Sequence, residues 1–348
     1  FKGFAIKEAL WGGGQELTIV SAVVIKICGL KISSRMETIS LATLYVDDMM
    51  RDSVVDILQR NNAKEKLESL CRGLDNASKQ CVYRICGRLL QAKNDNDNFC
   101  MNLTQEELQG LAKLHTEFYP NVINPLPNIY SYNGYFFPTN HISEHVLLNK
   151  HDMHLIENLD KLRQKDIIDV GGYIGDSAIV LQDFTDKSVH TFEATQTNYK
   201  LLLQTLQLNN ATKIIPVNKG LGSKDEMLQI AVDGGCSSVI TSTPQAQNLA
   251  IIEQTHIITL DGYTKENNIE VGFIKVDIEG FEMEFLKGAK ETIARDKPAM
   301  LISIYHQGSD FFDIKPLIES WNLGYKFKIH KPIDHSIIAE TALYCEVR

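Results

Sequence analysis

The sequence predicts an α/β fold, a mostly parallel sheet covered by helices on both faces, behind a mainly helical N-terminal region. Two observations carry this. From about residue 150 onward, short apolar runs alternate with amphipathic stretches, the pattern of successive strand and helix units. The segment Asp166-Ile-Ile-Asp-Val-Gly-Gly-Tyr-Ile-Gly-Asp-Ser177 reads as a buried strand, Ile167 to Val170, running into a glycine turn and a helix from about Asp176. A strand ending in an acid and spaced glycines lets a ligand lie against bare backbone, and the helix N-terminus that follows offers free N–H groups.

Taken in order, residues 1–92 read as mainly helical after an unclear start. Leu67, Leu70, Cys71 and Leu74 recur at helical spacing. Asp75 or Ser78 caps a second helix with Val82, Ile85, Cys86 and Leu89 on its apolar face. Residues 93–98 are polar and read as an exposed linker, and Gly12-Gly-Gly14 as a flexible turn. Thr104 and Glu107 have capping-box spacing ahead of Leu108, Leu111 and Leu114. Pro120, Pro125 and Pro127 end that helix, and 128–138 reads as a hairpin turning at Asn133-Gly134. Strands are expected at 166–170, 188–193, 213–217, 255–260, 271–277, 299–305, 324–330 and 342–347. Amphipathic helices are expected at 197–208, 281–294 and 310–322, the second with the stripe Phe281, Phe285, Leu286, Ala289 and Ile293. This divides the chain into an accessory region, 1–150, and an α/β domain, 151–348.

The 348 residues hold ample apolar material, 44%, for a core. A net charge of −9 argues against nucleic acid or an anionic membrane as main partner. Leu17 to Ile25 is apolar but too short to span a bilayer, and it lacks a cleavage pattern. Seven scattered cysteines, none at CxxC spacing, read as free thiols in a reducing, cytoplasmic compartment. The chain begins with Phe1 rather than Met, so further sequence is expected upstream.

Three constellations point to chemistry. In the first, Asp169-x-Gly171-x-x-x-Gly175 differs from the GxGxxG of nicotinamide enzymes, and Glu193 ends the next strand in Thr191-Phe-Glu-Ala194. An acid there accepts hydrogen bonds from both ribose hydroxyls, so the pair predicts a nucleoside site; the bland alternative is a structural turn with a surface glutamate. In the second, Lys275, Asp277 and Glu279 share one face of a strand if it runs that far, with Lys275 neutralising one of the two carboxylates. The alternative is a buried ion-pair network. In the third, the strand Met300-Leu-Ile-Ser-Ile-Tyr-His306 ends at a histidine on the ligand edge, a general base or a rim residue.

Weaker signals are His141, His145, His151 and His154, read as a solvated segment before a metal site, and Gly234-Gly-Cys-Ser-Ser238, read as a polar loop over the nucleoside. Cys81 and Cys86 read as core packing.

The ordered set Asp169-Val-Gly-Gly-Tyr-Ile-Gly-Asp-Ser177, Phe192-Glu-Ala194, Thr259-Leu-Asp-Gly-Tyr263, Ile274-Lys-Val-Asp-Ile-Glu-Gly-Phe-Glu282, Leu286-Lys-Gly-Ala289 and Ser303-Ile-Tyr-His306 resembles the FkbM family of S-adenosylmethionine-dependent methyltransferases. The likeness covers about 155–348. Tyr173 stands where the commoner motif has a glycine. The resemblance implies a Rossmann-like class I sheet of seven strands, six parallel and one reversed. It also implies O-methylation of a small-molecule or glycan acceptor. By position, Asp169, Gly171, Gly172, Tyr173, Gly175, Asp176 and Ser177 would surround the methionine and ribose parts of the cofactor. Glu193 and Ala194 would lie at the ribose, and Asp277 near the methyl.

The expected mechanism has His306 take the acceptor proton while Asp277 or Glu279 orients it, with Lys275 beside them. A variant gives Asp277, Glu279 and His306 to a divalent ion. The rival readings are a binding protein that keeps the fold without turnover, and a nicotinamide-dependent oxidoreductase. Residues 1–150 are open to acceptor binding, dimerisation or partner docking.

Overall fold

The computed structural model describes residues 44–94, 103–233 and 251–347, with short backbone strand segments outside these ranges. The expected turn at 12–14, linker residues 95–98 and the glycines 234 and 235 lie outside the described residues. The helical reading of the N-terminal region holds from Asp48 onward. Before it, the strands Ala9–Trp11 and Leu17–Ile19, and Val24–Ile27 and Leu30–Ser33, form two antiparallel pairs.

The main sheet has seven strands: β1 (Asp166–Val170), β2 (Val189–Phe192), β3 (Ile214–Val217), β4 (Val271–Val276), β5 (Ala299–Ser303), β6 (Tyr325–His330) and β7 (Ala342–Val347). Their order is β3-β2-β1-β4-β5-β7-β6. The first five are parallel. β7 is antiparallel to both β5 and β6 and is therefore the reversed strand. Six parallel strands and one reversed is the class I methyltransferase arrangement that the resemblance implied. β4 is buried at every position, as a central strand covered on both faces must be.

Two expectations are corrected. The strand expected at 255–260 is Ile251–Ile258, and it leaves the main sheet for a four-stranded one. There it pairs antiparallel with Glu226–Asp233, from Glu226 opposite Ile257 to Val232 opposite Ile251. The helix expected at 281–294 is two, Glu282–Gly288 and Lys290–Asp296. Phe285, Leu286, Ala289 and Ile293 are still all fully buried. The break falls beside Gly288, where a Cβ would lie 1.9 Å from the Gly222 carbonyl oxygen, so the backbones meet too closely for any side chain.

In the accessory region, Asp75 caps Asn76–Asn94 by accepting from the Ser78 amide at 2.8 Å. The Thr104–Glu107 capping box forms as read. Asn133 and Gly134 both take positive φ, 49° and 87°, and turn the hairpin Ile129–Tyr132 with Tyr135–Phe137. The helices lie against the sheet unit: the Ile329 amide donates to Ser78 Oγ at 3.0 Å, and the Gly308 amide to Ser53 Oγ at 2.6 Å. Val54, Val82 and Leu89 belong to the same apolar cluster as Ile274, Met300 and Phe312. Among the described residues no helix is long and apolar enough to cross a membrane.

Candidate active site

The glycine turn is shaped by what lies beneath it. Gly171 and Gly175 have φ of +86° each, and Tyr173 between them has +44°. The Gly171 and Gly172 amides both donate to the Phe192 carbonyl, at 3.0 and 2.8 Å, which draws the turn over the end of β2. A Cβ on Gly171 would lie 1.9 Å from the Asp277 carbonyl oxygen, so the turn also crosses the end of β4 at contact distance.

Lys275 pins this crossing. It stands beside Asp169 in the β1–β4 register, and its ammonium is 3.3 Å from that carboxylate. It also donates to the Gly171 carbonyl at 2.7 Å. Burial opposes its charge, but Asp169, Asp277 and Asp176 outweigh it and hold its pKa above the ordinary lysine value. The carboxylate at 3.3 Å is thus Asp169, whereas the sequence reading had paired Lys275 with Asp277 or Glu279. Asp169 itself is fully buried and accepts from Thr191 Oγ1 at 2.7 Å. It supports the turn from below.

Glu193 ends β2 and reaches back to the turn. One carboxylate oxygen accepts from the Thr195 amide and hydroxyl, at 2.8 and 2.7 Å, and the other from the Tyr173 amide at 2.9 Å. A carboxylate offers about four acceptor positions, so room for a ligand hydroxyl is left. Gly171, Tyr173, Asp176, Ser177, Glu193 and Ala194 line one side of a cavity of about 370 Å³. Lys275, Asp277, Glu279, Tyr305 and Glu340 also line it, as do His141 and His151. A larger cavity of about 520 Å³ lies between the accessory helices and the segment from Ile329 to Ile337, and its Arg88 and Glu107 already pair at 2.7 Å.

The strand expected to carry Lys275, Asp277 and Glu279 on one face stops at Val276. Glu279 and Gly280, with φ of 55° and 92°, turn the chain instead, so side-chain alternation ends before Asp277. Asp277 Oδ1 accepts from the Tyr305 hydroxyl at 3.2 Å and lies 3.4 Å from His306 Nε2. Glu279 Oε2 is 3.6 Å from the same nitrogen. Glu279 is 36% exposed at its side chain, yet protein surrounds most of its carboxyl, and that desolvation pushes its pKa up to about 7.

Glu282 was not singled out as a site residue from sequence. It is fully buried, accepts from the Ile278 amide at 2.9 Å, and lies 3.0 Å from His306 Nδ1. Its place four residues after Ile278, in the first turn of a helix, was the signal that could have found it. Burial opposes a charge on His306, but Glu282, then Asp277 and Glu279, outweigh it and lift the ring to about 10. The three carboxylates thus favour the charged ring, which pairs with them.

The histidine segment is only partly brought together. His145 and His151 are buried with ring centroids 5.1 Å apart, and His151 Nε2 lies 2.9 Å from Ser177 Oγ. His154 is exposed, 71% at its side chain. Glu340, on the loop before β7, was not singled out either. It has a φ of 64°, meets His145 Nε2 at 4.0 Å, and is pushed up to about 8 by burial and by Asp277. Burial likewise raises the Cys81 and Cys86 thiols to about 11 and about 12, as inert core residues.

Residues 169–327 match the methyltransferase FkbM domain model. None of the curated proteins matches the chain. Among solved structures, the chain is similar to the methyltransferase FkbM of Methylobacillus flagellatus KT, with 21% identity and a TM-score of 0.49. That match covers 84% of this chain and 60% of the other, so the chain spans three-fifths of that relative. It is also similar to an rRNA methylase of Streptococcus thermophilus, at 10% identity and TM-score 0.34, covering 57% and 95% of the two chains. A third is the fibrillarin of Aeropyrum pernix with natively bound S-adenosyl-L-methionine, at 11% identity and TM-score 0.33, covering 57% and 74%.

Proposed function

We propose that this chain, whose residues 169–327 match the methyltransferase FkbM domain model, moves the methyl group of S-adenosylmethionine to a hydroxyl of a sugar, glycan or related small molecule. The observation that carries the reading is the cavity built from the glycine turn and Glu193 at one end and the tips of β4 and β5 at the other. Open α/β sheets bind ligands at this edge. Glu193 receives the ribose hydroxyls, and the turn residues Gly171 and Tyr173 lie along the adenosine and methionine parts. Asp277 stands at the methyl end.

Transfer is an in-line displacement. The sulfur–carbon bond breaks with its electron pair retained by sulfur, a carbon–oxygen bond forms, and the hydroxyl proton goes to a base. His306 is not among the cavity's lining residues, and both its nitrogens face carboxylates. The reading therefore gives the proton to Glu340, a lining carboxylate beyond the pair at His306. Aligning the reacting atoms supplies much of the rate, and Tyr305 and Asp277, hydrogen-bonded to each other, fix the wall against which the acceptor would rest.

Calorimetry with S-adenosylhomocysteine tests the cofactor. One molecule should bind per chain, and Glu193→Ala should weaken it at least tenfold. A titration without heat or saturation rejects the reading. Labelled methyl transfer to a panel of sugars and sugar nucleotides tests the acceptor. With an acceptor found, Glu340→Gln should cut kcat about a hundredfold while S-adenosylhomocysteine binding stays intact; an unchanged kcat would remove Glu340 from the mechanism.

A further inference from the structure

We propose that Asp277, Glu282 and His306 form a site for one divalent metal cation of the manganese type, set behind the acceptor end of the cavity. These are the side chains whose ligand-capable atoms all fall within 4.8 Å of one another among the described residues. They arrive from three separate elements: the turn after β4, the first turn of Glu282–Gly288, and the end of the β5 segment. Two of the three are held in place already. The Tyr305 hydroxyl fixes one oxygen of Asp277, and the Ile278 amide fixes one oxygen of Glu282.

What remains is unsatisfied. Glu282 is fully buried, yet its Oε2 has no hydrogen-bond partner. His306, 4% exposed at its side chain, has no aligned partner at either ring nitrogen, although Glu282 Oε1 lies only 3.0 Å from Nδ1. Buried carboxylate and imidazole atoms left in this state are costly, and protein interiors pair such groups or place a cation among them. Two carboxylates with one imidazole, and no thiolate, suit a small divalent ion of oxygen and nitrogen preference, which takes the place of the proton on the ring as it binds. Asp277 lines the cavity, so charge placed here would act on an acceptor hydroxyl and ease loss of its proton. That last role rests on the methyl-transfer reading; binding of the ion does not.

The test uses the full chain, stripped with a chelator, exchanged into clean buffer and titrated with manganese(II) chloride, with free Mn²⁺ read by electron paramagnetic resonance. One ion should bind per chain. Asp277→Asn and Glu282→Gln should each weaken it at least tenfold, and Glu68→Gln, on an exposed helix face, should leave it unchanged. If the buried Glu282→Gln does not fold, judged by circular dichroism, the half-buried Asp277→Asn decides. No saturable uptake, or uptake unaltered in Asp277→Asn, overturns the site. S-adenosylhomocysteine calorimetry on the same samples separates the two ideas. S-adenosylhomocysteine binding without manganese uptake sinks the cation site alone, and the reverse sinks the methyltransferase reading alone.

Discussion

Residues with left-handed backbone gather at the cavity. Tyr173, Glu279, Glu340 and His151 have φ of 44°, 55°, 64° and 54°, and all line it. None is glycine, whereas asparagine, which tolerates this region, fills five of the eight such positions elsewhere among the described residues, the others being Lys150, Asp152 and Lys297. Strain of this kind persists only where surrounding contacts impose it, and it concentrates at functional sites. Gly171 has the opposite arrangement, a residue whose lack of a side chain is used twice, for its φ and for its approach to Asp277. Gly171→Ala should destabilise the chain by about 3 kcal/mol, adding the left-handed cost to overpacking. Urea unfolding reads this directly, and a loss below about 0.5 kcal/mol would mean that the turn does not cross β4 at contact distance. The motif residues were legible here because glycine spacing and strand-end acids have few other uses. Their partners were not: that Lys275 serves Asp169, and that Glu282 faces His306, depends on register and on a helix start that spacing alone does not set.

Among the elements, strands buried on both faces were the most legible, because each is a short apolar run bounded by polar residues. Two boundaries failed for stated reasons. β4 stops at Val276 because positive φ at Glu279 and Gly280 turns the chain, and no residue type announces a left-handed glutamate. The Ile251–Ile258 strand joins a second sheet because a strand pattern does not say which neighbour it meets. The Gln105–Lys113 helix, by contrast, was readable to its cap, and its Glu107 also makes a bidentate pair with Arg88, at 2.7 and 2.9 Å. Burial works to raise the Glu107 pKa, but Arg88 and Thr104 outweigh it and draw it down to about 2. A depressed carboxyl stabilises the fold above the unfolded value, near 4.5, and that contribution is lost as pH falls from there toward 2. The shift is worth at most about 3 kcal/mol. Glu107→Gln should therefore be clearly less stable than the parent at pH 6, with the gap narrowing at pH 3; a gap of equal size at both pH values would contradict the pairing.

Over the whole molecule, the division read at residue 150 follows a change in pattern, from helical to alternating. The apolar core does not stop there. Val54, Val82 and Leu89 share one cluster with Ile274, Met300 and Phe312, and hydrogen bonds from Ile329 and Gly308 tie the helices to β6 and to the helix before it. Helical periodicity reveals an apolar face but not the surface that covers it, so this joining was not legible. Units that share a core unfold together. Calorimetry should show one transition, coincident with the loss of helical circular dichroism and of tryptophan fluorescence. Two separated transitions would mean that helices and sheet are independent bodies.

The pin made by Lys275 has one more effect. A single ammonium grips both the glycine turn that follows β1 and the acid below it. That side of the cleft acts as an anvil: it cannot recede without tearing a charged group from its counterion. Widening that admits and releases a ligand is easier where His145 and Glu340 meet, 4.0 Å apart.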